Sequence, residues 1–429
     1  MCFVRRKLTL VLSLCVFSAA FALPSAAKAQ DVLCDVTIDP QASAVDAIEG
    51  LEDGQTLCLH GGTYEFDSVS VRAADTTVES FPGESATLRG QVRVERSAPG
   101  ATIENLVLDG RNPGEYFSPL IYADRTVLRD NDISNSHTSN CVHLSTYYDA
   151  PAPRDVVIEG NRIHDCGRLP ATNHDHGIYV ASSRNLVIRD NLIYGNADRG
   201  IQLFPDAQDT LIEGNVIDGN GQGIIFSGYD GVSANDTTVV HNIITNSNLR
   251  HNVESFYPED TPPGRNNVVT ENCIYNADDW YDEADGSGIQ APEEGFTATN
   301  NIIADPKFVN RAAGNFDLDP GSPCAGVLTG TVPSALSLEA VKPTVRPGSY
   351  TKLRGTVPAS VNSRVWIFKR DRGNWKSFKR ARVQGSHFTA RVKIHSRSHF
   401  KARAAGVADS NAVAVTARGK TKHKHKHNR

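Results

Sequence analysis

The sequence of 429 residues holds a single methionine, and phenylalanine, tryptophan and tyrosine together make up 7% of it. A helical bundle fills its core with such side chains and tolerates few glycines, so 34 glycines speak against one. Lysine is nearly missing from the centre of the chain. Between residues 31 and 330 only Lys307 occurs, which leaves chemistry that depends on a lysine base almost nothing to use. No CxxC spacing is present, and thiolate zinc sites are therefore not expected. Beyond Leu23 no apolar run approaches the ~20 residues that span a bilayer, so the mature chain should have no transmembrane span.

Residues 1–29 begin with Arg5, Arg6 and Lys7, run through an apolar stretch from Leu8 to Leu23 and close on Ala27-Lys28-Ala29. This is the pattern of a secretory signal peptide, and a secreted or cell-wall-associated protein is expected. Six cysteines remain after its removal, an even number for an oxidising compartment. Sequence order favours the disulfides Cys34–Cys58, Cys141–Cys166 and Cys273–Cys324, with other pairings open. Charge divides the rest of the chain in two. Residues 31–330 carry 17 basic and 46 acidic side chains, whereas residues 331–429 carry 23 basic and 3 acidic ones.

The acidic region repeats itself. Seven segments, from TVLRDNDISNS (126–136) to FTATNNIIADP (296–306), align without gaps at spacings of 24–30 residues. Each has asparagine at its sixth place (Asn131, Asn161, Asn191, Asn215, Asn242, Asn272, Asn301) and isoleucine two places later. A unit this short cannot close its own core and must stack on its neighbours, and its alternation has the two-residue period of a strand. A further strand follows within most units: CVHLS (141–145), GIYVA (177–181), GIQLF (200–204), GIIFS (223–227) and NVESF (252–256).

On these motifs the chain resembles the right-handed parallel β-helix repeat proteins of the pectate-lyase-like superfamily over about residues 36–326. A helix near Ser43–Leu51 resembles that family's N-terminal cap, and DPKFVN…FDLDPGSPCAG (305–326) its exit. The resemblance implies a solenoid and leaves function open, since such proteins include lyases, glycosidases, epimerases and non-catalytic adhesins. The asparagine column is expected to be a structural ladder of stacked turn amides. After residue 337 short alternating strands suggest a small β-sandwich that resembles bacterial immunoglobulin-like modules. The expected organisation is all-β: signal peptide 1–29, β-helix 30–326, linker 327–337, sandwich 338–418 and a basic disordered tail 419–429.

Coils stack at about 4.8 Å, so equivalent residues form columns on the surface. The second-strand alignment predicts an outward column of His143, Tyr179, Gln202, Ile225 and Glu254, beside a turn column of Asn140, His176, Arg199, Gln222 and His251. β-Elimination of a uronic acid polymer, or epimerisation at C5, needs a group to neutralise the carboxylate and groups to move the C5 proton. His176 or Tyr179 are the candidates for proton transfer, Arg199 and His143 for the carboxylate, and Asp175 for orienting a histidine. His174, Gln202, Arg250, His251 and Glu254 are expected to contact substrate, with Tyr147 and Trp280 stacking on sugar rings. Asp278, Asp279, Asp282 and Asp285 would suit calcium, with a solvated acidic loop as the competing reading and no other cofactor expected.

Two alternatives stand beside the lyase or epimerase. One is a non-catalytic surface rod that binds glycan. The other is a glycoside hydrolase using Asp175, Asp198 and Glu254. The partner in each case is a polysaccharide and not nucleic acid, since the basic region lies on an exported module, and a monomer is expected.

Overall fold

The computed structural model describes residues 34–147, 150–276, 286–328, 336–356, 364–371, 374–384, 387–404 and 410–418. The leader at 1–29, the tail at 419–429 and the acidic segment with Asp278, Asp279, Trp280, Asp282 and Asp285 lie outside the described residues.

A short helix, Ala44–Glu49, follows the first strand, Val36–Ile38, and Ser43 Oγ accepts the Asp46 N–H at 3.1 Å as its N-cap. Its buried Ala44 and Ile48 cover the first coil. The chain then winds through about 10 turns of a parallel β-solenoid. One sheet has eleven strands, from Val36–Ile38 to Thr297–Thr299. A second face stacks strands such as Asp132–Ser134, Arg162–His164, Leu192–Tyr194 and Val216–Asp218. A third stacks Val142–Leu144, Ile178–Arg184, Arg199–Gln208, Gln222–Tyr229 and Val253–Phe256.

The predicted columns fill the interior. Ile158, Ile188 and Ile212 from the first face, Ile163, Ile193 and Ile217 from the second, and Ile178, Ile201 and Ile224 from the third are all 0% exposed. Such burial is the dominant stabilising term in a stack whose units have no core of their own.

The corner between the first two faces explains the asparagines. A residue in the left-handed region turns the chain, as Asp190 does at φ 56°, and the ladder asparagine follows it. In each coil the Oδ1 of that asparagine accepts both the backbone N–H and the side-chain N–H of its counterpart one coil earlier, at 2.8–3.0 Å. Asn191 Nδ2 also donates to the Ile158 carbonyl at 2.9 Å. Replacing Asn191 with alanine leaves these buried groups unpaired and should lower stability by about 2–4 kcal/mol, read as a lower unfolding midpoint in denaturant.

The disulfides Cys34–Cys58, Cys141–Cys166 and Cys273–Cys324 form as sequence order suggests, which fits a protein of an oxidising compartment. No helix among the described residues is long and apolar enough to cross a membrane. After a hairpin of Phe308–Asn310 with Asn315–Leu318, the C-terminal region forms an eight-stranded sheet. It encloses a separate core that includes Leu353, Val365, Ile367, Phe388, Val392 and Phe400, an arrangement consistent with a β-sandwich. The strand Asn374–Gln384 was not expected. Most of its side chains are basic or polar by sequence, with Ala381 in the core, so the apolar alternation that marks a strand is missing.

Candidate functional site

The third face carries the columns predicted for it. His143 pairs with Tyr179, Tyr179 with Gln202, Gln202 with Ile225 and Ile225 with Glu254. Beside them, the carbonyl of His176 accepts from Cys141 N–H at 3.1 Å, that of Arg199 from Gly177 N–H at 2.9 Å and that of His251 from Gly223 N–H at 3.2 Å. A loop from Gly167 to Asp175 rises over these rungs. Together they wall a cleft of about 400 Å³ whose lining includes Asn173, His176, Tyr179, Arg199, Phe204 and Phe256. A second cleft of about 330 Å³, with Arg93, Tyr122 and His143 in its wall, shares Phe117 with the first.

Arg199 is the buried cation of the cleft, 5% exposed. Its Nε donates to Gln222 Oε1 at 2.9 Å and its terminal nitrogens to Asn173 O at 2.9 Å, Asn173 Oδ1 at 2.6 Å and Gln202 Oε1 at 3.3 Å. Arg250 donates to the same Asn173 Oδ1. Two guanidinium groups therefore converge on one uncharged oxygen. Burial, and then the charge of Arg250, lower the Arg199 pKa to about 10, the effect expected of a desolvated cation beside another.

His176 is 1% exposed, and its Nδ1 accepts the Arg199 backbone N–H at 3.5 Å. Burial, reinforced by the Arg199 charge, holds this imidazole well below its usual pKa. It is neutral near pH 7, and with Nδ1 as acceptor the proton sits on Nε2. Tyr179 stands edge-on to both histidines, at 4.6 Å from His143 and 5.5 Å from His176 between ring centroids. Among the described residues nothing hydrogen-bonds its hydroxyl. Burial raises the Tyr179 pKa, against the opposing charge of Arg199. Glu254 accepts from His251 Nδ1 at 2.9 Å. Burial would raise its pKa, but the hydrogen bonds from His251 and Gln222 and the charge of Arg250 outweigh that and keep it ionised.

The family model described as a right-handed beta helix region matches residues 94–252, the stretch that carries most of these rungs. The fold of the chain is a parallel β-helix, and the matched stretch is of the right-handed kind. It is also similar to an uncharacterized protein of Bacillus subtilis, YwoF, at 28% identity over 198 residues, which is 41% of this chain and 39% of that one. The chain thus spans about two fifths of that relative's length. Among solved structures, the A-module of the mannuronan C-5 epimerase AlgE4 of Azotobacter vinelandii aligns with 61% of this chain and 89% of its own, at 17% identity and a TM-score of 0.34. A double-mutant tailspike protein of E. coli bacteriophage HK620 aligns over 90% and 92%, at 11% identity and a TM-score of 0.23.

Two expected roles change on this β-helix. Asp175 does not orient a histidine. Its oxygens take Arg168 Nε at 2.8 Å, an Arg168 terminal nitrogen at 2.9 Å and Thr172 Oγ1 at 2.7 Å, and this brace holds the loop. His143 cannot neutralise a carboxylate by charge. It is 6% exposed, stacks on Phe117 at 4.4 Å, and burial lowers its pKa to about 3.

Of the other expected contacts, His174 stands exposed at the cleft rim, and Tyr147, 46% exposed, packs edge-on against Tyr122 of the second cleft. Asp198 is 1% exposed and accepts the Asp175 N–H at 3.1 Å, which removes it from the carboxylates open to a hydrolytic water. Among the described residues no group of three or more His, Cys, Asp or Glu could hold a metal ion.

Asn173, Arg168, Phe117, Phe204 and Phe256 were not foreseen. Phe204 and Phe256 follow Gln202 and Glu254 by two places, so strand alternation alone puts them on the same outward face. Asn173, Arg168 and Phe117 come from loops outside the repeat, for which the repeat carries no signal.

Proposed function

We propose that this β-helix protein binds a uronic-acid-containing polysaccharide in the cleft and removes the C5 proton, acting as a polysaccharide lyase or C5-epimerase. The convergence of Arg199 and Arg250 on Asn173 Oδ1 carries the reading. Two cations around one neutral oxygen form a seat for a carboxylate, and in a region with 46 acidic against 17 basic residues such a pairing marks a local reversal of charge.

With the sugar carboxylate in that seat, negative charge that develops on it as C5 loses its proton is held by both guanidinium groups and by the Nε2–H of His176. His176 presents a donor and not a lone pair, so the base is Tyr179, acting as phenolate beside Arg199. The C5 proton passes to the phenolate and its electron pair to the carboxylate-stabilised carbanion. Either the C4–O bond then breaks, leaving a C4–C5 double bond while the Tyr179 hydroxyl gives its proton to the departing oxygen, or solvent water returns a proton to C5 from the opposite face and Tyr179 gives up its own to solvent. Phe204 and the exposed Phe256 offer apolar surface to sugar rings along the cleft.

The test is incubation with alginate, pectate and a glycosaminoglycan in D2O, with and without a calcium chelator, followed by mass spectrometry. Unsaturated products or deuterium at C5 support the reading. A polymer that binds but is recovered unlabelled and uncut contradicts it and leaves a glycan-binding rod. Tyr179→Phe should abolish the label with binding retained. Because the Tyr179 pKa lies above its ordinary value while Arg199 must stay protonated, kcat/KM should rise about tenfold per pH unit from about pH 7 to about pH 9. It should level off as Arg199 deprotonates near its pKa of about 10 and fall only above the raised pKa of Tyr179.

A further inference from the structure

The C-terminal sheet has a second surface with its own chemistry. Its strand Arg364–Asp371 lies between Asn374–Gln384 and Ser398–Arg403. Val365, Ile367, Phe400 and Ala402 are fully buried and Ala381 nearly so, so the alternating Trp366, Phe368, Arg380, Lys401 and Arg403 face outward. Trp366 pairs across the sheet with Arg380 on one side and Arg403 on the other, and Phe368 pairs with Lys401.

The cations cover the rings. The Arg380 guanidinium lies 3.9 Å from the Trp366 ring centroid, that of Arg403 4.8 Å from Phe368, and the Lys401 ammonium 5.1 Å from Trp375. Two of the three tryptophans in the whole sequence are spent on this face. Among the described residues Glu339 pairs with Arg354 on a different strand pair and Asp371 with Lys376, and after position 330 there are 23 basic residues against 3 acidic ones. Each cation–ring contact offsets part of the repulsion between like charges on adjacent strands, and the net positive charge of the region remains for a partner.

We infer that this face is a second, non-catalytic binding surface for an acidic polysaccharide, whose carboxylates or sulfates meet the row of cations. The ring faces are already occupied by guanidinium and ammonium groups, so they are not open platforms on which nucleobases or neutral sugars stack. Trp366, Phe368 and Trp375 are half-buried and do not project as apolar wedges into a bilayer. What the face presents is charge, and the exposed Arg380 guanidinium, stacked on its ring, can turn its in-plane N–H edge to an oxyanion. The three disulfides of the same chain match an oxidising compartment, in which acidic glycans are available polyanions. This surface does not depend on the cleft, and a chain disabled in the cleft should retain it.

The experiment uses full-length protein carrying Arg199→Met, titrated with alginate or polygalacturonate at low salt. Binding should persist, weaken by at least about tenfold at about 500 mM NaCl, and be missing with dextran. Adding Arg380→Gln, Lys401→Gln and Arg403→Gln should weaken it by about tenfold or more, with the unfolding midpoint of the solenoid unchanged. Arg380→Lys, which keeps the charge, should change it less than about threefold. The inference fails if the triple replacement binds as well as its parent or if dextran binds equally. It also fails if single-stranded DNA or anionic vesicles bind as tightly as the glycan, or if the protein only self-associates at low salt without holding polymer.

Discussion

Replacing Arg199 with methionine is expected to lower kcat/KM on a polyuronate by about 100- to 1,000-fold, the loss typical of removing one donor from a preorganised anion site. Both kinetic constants should suffer, because the guanidinium meets the carboxylate in the ground state and holds more charge on it in the transition state. Arg250→Met should cost less. Arg250 is only half-buried, and solvent screens its charge more than that of Arg199. The measurement is steady-state kinetics on the substrate found by deuterium labelling, with unfolding midpoints as a check on folding. Equal rates for Arg199→Met and the unaltered protein would remove the carboxylate seat from the account.

The second large effect is on stability against acid. His143 and His176 are buried and neutral, with pKa values depressed below the ordinary 6.5, that of His143 to about 3. As pH falls below about 6.5 the unfolded chain takes up protons that the folded chain refuses, so stability declines with falling pH until the folded pKa is reached. Each histidine contributes about 1.4 kcal/mol per pH unit in that window, and for His143 the decline runs to about pH 3. His143→Phe, which can keep the stack on Phe117, should flatten the curve of unfolding free energy between about pH 6 and pH 4 by about 1.4 kcal/mol per unit. An unchanged slope would mean that His143 titrates normally and is not buried as described.

The fold was legible wherever the repeat is regular, because stacking in register forces the same side chain into the same environment. Asn161, Asn191 and Asn215, 0% exposed, sit at corners where no other side chain of that size supplies both the acceptor and the donors the turn needs. Legibility fades toward the N-terminus. There Leu106 stands one coil before Asn131, its N–H accepted by Asn131 Oδ1 at 3.1 Å, so the ladder stops while strands such as Ala86–Val94 continue the stack with no matching consensus.

The site divides along the same line. His143, His176, Tyr179, Arg199 and Glu254 belong to repeating columns, and alignment alone brings them together. What decides their chemistry comes from elsewhere. Asn173 and Arg168 lie in a loop that interrupts one coil, and spacing offers no way to foresee that Asp175 would turn to Arg168 and away from a histidine. The protonation state of His143 depends on a stacked Phe117 from another loop, which a linear reading cannot supply.

The most direct measurement is a crystal structure with a short uronate oligosaccharide bound. The account predicts one sugar carboxylate within hydrogen-bonding distance of both Arg199 and Arg250, Asn173 Oδ1 displaced from between them, and C5 facing the Tyr179 hydroxyl. An oligosaccharide seated on another part of the β-helix, or lying in the cleft with its carboxylates turned to solvent and Asn173 still bridging the two arginines, would contradict it.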